Sequence, residues 1–366
     1  MAANFRTTFA DSYDEKMAFI GFLSSFFITL PKYLVRSESV KIDVRRGSRK
    51  VATVVSDLTQ RGSKIKKSVY SNKEFKPPTL ALGTDFAPGD LTEKAFGKTE
   101  YETAQDEYVM QLMDLIMDDM TEIEKQFLRN IELQSAQIFQ TGIMNLYDEN
   151  GNIAYTIDFK VKATHLPTAA VDWDDPAANP DADIESLIDV IQTDSDTIIE
   201  NVVFGAAALR NYLANVNVVK KFDTRRIDSG VFKPERRSAD VRYLGDILIG
   251  SEYVACWKYL GRYEDPSTPE AATVLKYVDD DNVLLLPNSD GVNVDLRRYW
   301  CEVPRVTKND AGYENILPAQ LRLGDRQITP RIWENKAMDQ LEIEVKARPI
   351  SIPVSVDVFG CLKTIA

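Results

Sequence analysis

"TAQDEYVMQLMDLIMDDMTEIEKQFLRNIELQSAQIFQ", residues 103–140, decides how this chain folds. Tyr108, Leu112, Leu115, Ile116, Ile123, Phe127, Ile131 and Ile138 recur at helical spacing, and no Gly or Pro interrupts them before Gly142 supplies a stop. The pattern predicts one helix from about Thr103 to Gln140, about 57 Å long at 1.5 Å per residue and far beyond the average globular helix. Its first two thirds are acidic: residues 100–126 hold nine Asp or Glu against Lys125 alone.

The stretch before the helix has the opposite sign. From Lys41 to Lys76 there are eleven Lys or Arg and three acids, in a chain whose formal charge is -12. Val40, Ile42 and Val44 alternate and Val51 to Val55 is β-branched, so residues 38–58 read as two strands around an Arg-Gly turn, followed by a second polar hairpin. Neither strand pair carries enough apolar residues for a core of its own. The segment is therefore an arm that rests on something else.

After the helix, residues 153–163 read as a strand paired with "GIMNLYDENG". The Pro- and Asp-rich stretch 173–183 links into a helix carrying Ile184, Leu187, Ile188 and Ile191. A second helical segment is predicted at 205–221, with strands clustered later at "GDILIGSEYVACW", "TVLKYV", "NVLLLP", "RRYWCEV", "LEIEVKA" and "ISIPVSVDV". Helices early and strands late indicate an α+β class.

Composition excludes several functions. At 366 residues, 44% hydrophobic and 27% charged, the chain is long enough for one large or two medium domains and is not disordered. Cys256, Cys301 and Cys361 are far apart and lack metal spacing, so they are expected reduced and packed, as in a protein made in a cytoplasm. The apolar run 17–31 ends at Pro31, short of the roughly twenty residues that cross a bilayer, and lacks the features of a signal peptide; it is expected to dock on the protein body. No membrane partner is indicated.

No motif nominates an enzyme. His165 stands alone, without a Cys or Ser partner in view. "FGKTE" at 96–100 imitates the end of a phosphate-binding loop, but Thr92 stands where that loop needs glycine. The acidic turns at 172–175 and 279–282 lack calcium-loop spacing and read as solvated loops. No cofactor is expected. The basic arm could contact nucleic acid, yet it offers only Tyr70 and Phe75 for stacking, and the acidic body repels phosphate at longer range.

A basic arm beside an acidic helix suits repetition, because an arm reaching the helix of a neighbouring copy makes a heterologous contact that closes rings or builds arrays. Many weak contacts of that kind add by multivalency. The order of features resembles the major capsid proteins of tailed phages, in particular the lambda-type coat protein family. The resemblance is carried by residues 133–168 at the helix end and hairpin, "WDDPAANPDADI" (173–184), "VVFGAAALRNYLANVNVVKKFDTRR" (202–226), "YLGDILIGSEYVACW" (243–257), "DDDNVLLLPNSDG" (279–291) and "ARPISIPVSVDVFGCLKTIA" (347–366).

The resemblance implies a Hong Kong 97-like capsid fold: an N-terminal arm (1–37), an extended hairpin loop (38–98), a peripheral domain with the long spine helix (99–180, rejoined by 335–366) and an axial domain (181–334). It implies a structural protein without catalytic or metal residues, forming pentamers and hexamers of an icosahedral virion head around double-stranded DNA, assembled in the host cytoplasm. Portal, scaffold and decoration proteins are implied partners, and the short N-terminal arm holds no fused scaffold region. An encapsulin-like shell around protein cargo is the alternative, and a nucleic-acid-binding protein with a basic arm is the alternative from another class. Arg61, Lys64, Lys66 and Lys67, with Ile65 and Val69, are expected over Asp114, Asp118, Asp119 and Glu122 of an adjacent copy.

Overall fold

The computed structural model describes residues 21–35, 40–44, 71–75, 77–86, 105–223, 235–236, 240–250, 252–268, 273–291, 293–301, 303, 321–323, 326–335 and 340–365. Strands β1 (Ile28–Val35), β2 (Val40–Val44), β3 (Ser71–Phe75) and β4 (Leu80–Phe86) precede the helix α1 (Gln105–Thr141). Then come β5 (Ile143–Tyr147), β6 (Ile153–Asp158), α2 (Pro180–Ser195), β7 (Ile199–Phe204), α3 (Ala206–Ala214) and α4 (Val216–Asp223). The next strands are β8 (Glu235–Arg236), β9 (Val241–Ile249), β10 (Glu252–Tyr259), β11 (Arg262–Glu264), β12 (Val274–Lys276), β13 (Asn282–Pro287) and β14 (Leu296–Cys301). The chain ends with β15 (Leu321–Leu323), β16 (Arg326–Asn335), β17 (Gln340–Ala347), β18 (Pro349–Pro353) and β19 (Gly360–Lys363).

The packing resolves into two compact units. One draws on Met1–Val40, Lys76–Ser135 and Arg298–Ile352; the other draws on Lys41–Phe75, Ala136–Arg297 and Pro353–Ala366. The closing segment 353–366 thus packs with the second unit, whereas the sequence reading grouped all of 335–366 together.

In the first unit α1 lies on a four-stranded sheet ordered β15-β16-β17-β4. One helix stripe, Ile116, Met120, Ile123, Phe127 and Ile131, is buried against Ile328, Ile343, Val345 and Ala347, with Trp300 beside them. The strand side obeys its own period of two: Ala347 pairs with Leu80 and Val345 with Leu82 on the face turned to the helix. Burial at roughly 1.5–3 kcal/mol per large apolar side chain makes this contact, not helix propensity, what holds α1 on the sheet. A three-stranded sheet ordered β1-β14-β18 completes the strand pairing there.

The second unit is built on a six-stranded sheet ordered β19-β13-β7-β10-β9-β8, in which only β7 and β10 run parallel. α2 turns Ile184, Leu187, Ile188 and Ile191 into a core shared with Trp173, Phe204, Tyr212, Ile247 and Cys256. β5 and β6 form the expected antiparallel hairpin after α1. All three cysteines are free and buried, as expected.

Several readings need correction. The segment 205–221 is two helices, because Asn215 adopts an extended backbone and caps α4: its Oδ1 accepts the Asn217 N–H at 2.9 Å while its Nδ2 donates to the Ala178 carbonyl at 2.9 Å. β7 was not anticipated, since its short apolar run has no alternation to announce a strand buried on both faces. The described partner of β2 is β3, so the pair brackets residues 45–70. The strand at 51–55 and the turn at 96–100 lie outside the described residues. His165 sits in a single 3-10 turn (Ala163–His165), beyond the end of β6.

Candidate assembly surface

Arg61, Lys64, Ile65, Lys66, Lys67 and Val69 lie outside the described residues. Their expected counterparts are on α1, where Asp114, Asp118 and Glu122 fall four residues apart in one row. Asp118 is exposed. Glu122 is paired on its own helix, with Arg129 at 3.1 Å and Lys125 at 3.4 Å, so the negative row stops there. Asp119 turns toward its own sheet: partial burial raises its pKa above the ordinary carboxylate value, opposed by a hydrogen bond with the Thr84 side chain, and the Asp118 charge adds to the rise. Thr84 follows Leu80 and Leu82 on the face of β4 that meets α1. The helix periodicity was legible in sequence; the strand partner of Asp119 was not.

A buried carboxylate contact in the first unit involves a residue that sequence reasoning did not select. Glu132 is fully buried on α1, and its oxygens accept the backbone N–H groups of Leu23 at 2.7 Å and Ser24 at 2.9 Å. These amides open a 3-10 turn (Leu23–Phe26) whose Leu23 and Phe26, with Phe27, are buried. Gly21 permits the approach, since a Cβ there would lie 2.3 Å from Glu132 Oε2. The apolar N-terminal run therefore docks as expected over its described part. The only hint in sequence was an acid flanked by Ile131 and Leu133.

At the far end of α1, Gln140 pins the acidic turn 279–282. Its Nε2 donates to the Tyr277 carbonyl at 2.8 Å, and its Oε1 accepts the Asp279 N–H at 3.0 Å and the Asn282 Nδ2–H at 2.9 Å. The Asp280 carbonyl of that turn accepts the N–H groups of Ala207 and Ala208 in the first turn of α3. The turn is thus a structural joint as well as the exposed loop expected from sequence, since Asp279 and Asp280 are exposed. Burial, reinforced by Asp280 and Asp281, raises the Asp279 pKa.

His165 is fully buried and bridges two segments: Nδ1 is 3.0 Å from the Phe359 carbonyl and Nε2 is 2.9 Å from Asp194 Oδ2. Both neighbours, a carbonyl and a carboxylate oxygen, are hydrogen-bond acceptors. Lys162 reaches the same Asp194 oxygen at 2.8 Å, and hydrogen bonds from Lys162 and His165 hold the Asp194 pKa below its ordinary value. This clamp fastens the closing segment to α2. Among the described residues no three His, Cys, Asp or Glu side chains converge as a metal-binding group.

A long helix lying on one sheet, a separate α+β unit and joints that fasten segments of one chain describe a protein built to present surfaces. The sequence matches the family model of "Phage major capsid protein E" over residues 15–362, and the chain belongs to that family. It is a structural protein of the virion capsid. The fold is similar to the putative capsid protein of an Escherichia coli CFT073 prophage, with TM-score 0.62 and 17% identity over 99% of this chain and 98% of that one. It is also similar to a phage-related protein from Bordetella bronchiseptica, with TM-score 0.52 and 9% identity over 97% and 96%. No curated protein is matched by the sequence.

Proposed function

We propose that the chain closes with copies of itself into an icosahedral phage head around double-stranded DNA, with residues 99–180 and 335–366 as peripheral domain and 181–334 as axial domain around five-fold and six-fold centres. The single observation that carries this reading is family membership across residues 15–362. Portal, scaffold and decoration proteins are the partners such a head requires, and DNA is cargo held without sequence recognition. An acidic wall of net charge -12 repels that cargo weakly through salt.

In this reading the hairpin loop 38–98 lies over a neighbouring copy, with Arg61, Lys64, Lys66 and Lys67 near the row of Asp114, Asp118, Asp119 and Glu122. Asp119 and Glu122 already have partners in their own chain. Exposed pairs contribute about 0–1 kcal/mol each, and Ile65 and Val69 add apolar contact of similar size. Replacing Lys64, Lys66 and Lys67 with Glu weakens assembly, read as particle yield by electron microscopy and sedimentation. Particles at unchanged yield would remove the arm from the account, and hollow shells filled with protein instead of DNA would favour a cargo compartment.

A further inference from the structure

Charge in the second unit is segregated along the chain. Between Lys162 and Arg210 there is no Lys or Arg, while ten Asp and Glu occur. α2 carries part of this run on its solvent side, where Glu185 and Asp189 are exposed and four residues apart, a spacing at which like charges repel. Glu185 lies over Gly250 at the end of β9, since a Cβ on Gly250 would sit 2.4 Å from its Oε1. Glu252, the first residue of β10, is held against α2 by Gln192, whose Nε2 is 2.9 Å from both carboxylate oxygens. The turn between β9 and β10 is therefore the acidic end.

The other end of the same hairpin is basic. Arg242 of β9 pairs in register with Lys258 of β10, two like charges directly opposite in one cross-strand ladder, and the backbone of β8 pairs with β9 on its other side. Like charges directly opposite destabilise a sheet. Arg242 is exposed and Lys258 half-buried. Asp240 lies beside the ladder, where its carbonyl accepts the Leu260 N–H, so Arg242 and Lys258 leave the balance there positive. From Arg242 to Ile249 the strand rises about 23 Å, at about 3.3 Å per residue. A basic end that far from the acidic one cannot be neutralised by it within one chain.

We propose that the basic ladder of one copy docks on the acidic α2 face of the next, a head-to-tail contact that closes rings of the second unit. The inference rests on the shell reading and names a surface within it. Opposite charges at the two ends of one strand pair are self-complementary only between copies, and a rotation between such contacts generates a ring. The repulsion within each patch, costly in the isolated chain, is relieved on docking.

The test reverses each end and then both. Arg242→Glu with Lys258→Glu, and separately Glu185→Lys with Asp189→Lys, each fold with unchanged circular dichroism and lose rings and particles in sedimentation velocity. The chain carrying all four substitutions regains them. An equimolar mixture of the two reversed variants also associates, into even-numbered rings, because each variant repels itself and attracts the other. Particles at wild-type yield from either reversed variant, or a fourfold variant no better than the twofold ones, overturns the proposal while the shell reading stands on the wild-type particles. A basic-end variant that assembles normally yet no longer retards a DNA duplex also overturns it, assigning the ladder to nucleic acid. A wild-type chain that forms no particles at any salt overturns both.

Discussion

Replacing Glu132 with Ala removes the two acceptors that hold the start of the N-terminal 3-10 turn. The carboxylate is fully buried and takes the N–H groups of Leu23 and Ser24 at 2.7 and 2.9 Å. Each buried donor left without an acceptor costs about 1–3 kcal/mol. The side-chain carboxylate no longer has to be desolvated, which returns part of that loss. A net cost of about 2–4 kcal/mol follows, taken up locally, because Leu23, Phe26 and Phe27 can leave α1 without unfolding the sheet beneath it. Hydrogen exchange at Leu23 and Ser24 therefore accelerates roughly 30- to 1,000-fold, with about tenfold per 1.4 kcal/mol, and protease cleavage appears near residues 21–35. Glu132→Gln keeps one carbonyl acceptor and gives a smaller acceleration. Unchanged protection at Leu23 and Ser24 in the Ala variant would refute the idea that this carboxylate holds the segment.

Three further outcomes are expected. Gly142→Val lowers the thermal midpoint, since φ there is +69° and a Cβ would lie 2.3 Å from Val161 Cγ2; left-handed backbone alone costs roughly 1–2 kcal/mol for a residue with a Cβ. Asp194→Asn removes a carboxylate whose folded pKa is depressed by Lys162 and His165, so the wild type is the more stable at pH 6. That advantage is lost as pH falls below about 4, through the depressed folded value, and parallel melting curves of the two proteins read it directly. Cys301 and Cys361, whose thiols burial pushes up to about 11 and about 12, stay unreactive toward a thiol reagent at pH 8 in the native protein and react on denaturation.

Helix α1 was legible to within two residues because its signal is local. An apolar stripe at 3.6-residue spacing without Gly or Pro leaves few alternatives, and Gly142 at positive φ ends it. The hairpin of β5 and β6 and the buried stripe of α2 were readable for the same reason. β7 and the break at Asn215 were not, since the first depends on neighbours on both sides and the second on a carbonyl at Ala178 that is distant in sequence. Of the residues proposed for assembly, sequence pointed to the acidic row on α1. It could not tell that Glu122 is neutralised by Arg129, or that Asp119 faces Thr84, because both depend on where side chains end up.

By itself the sequence determined the class of the protein, the long helix, and the alternation of basic and acidic segments, all properties of order along a chain. Tertiary structure decided which charges remain for a neighbour. Glu132 and His165 are consumed inside, by Leu23 and Ser24 in one case and by Phe359 and Asp194 in the other. Arg242, Lys258, Glu185 and Asp189 are left outside, at opposite ends of one strand pair. The physical reason is that charge is written locally but neutralised through space, so only the packed chain shows which of its ions are already answered.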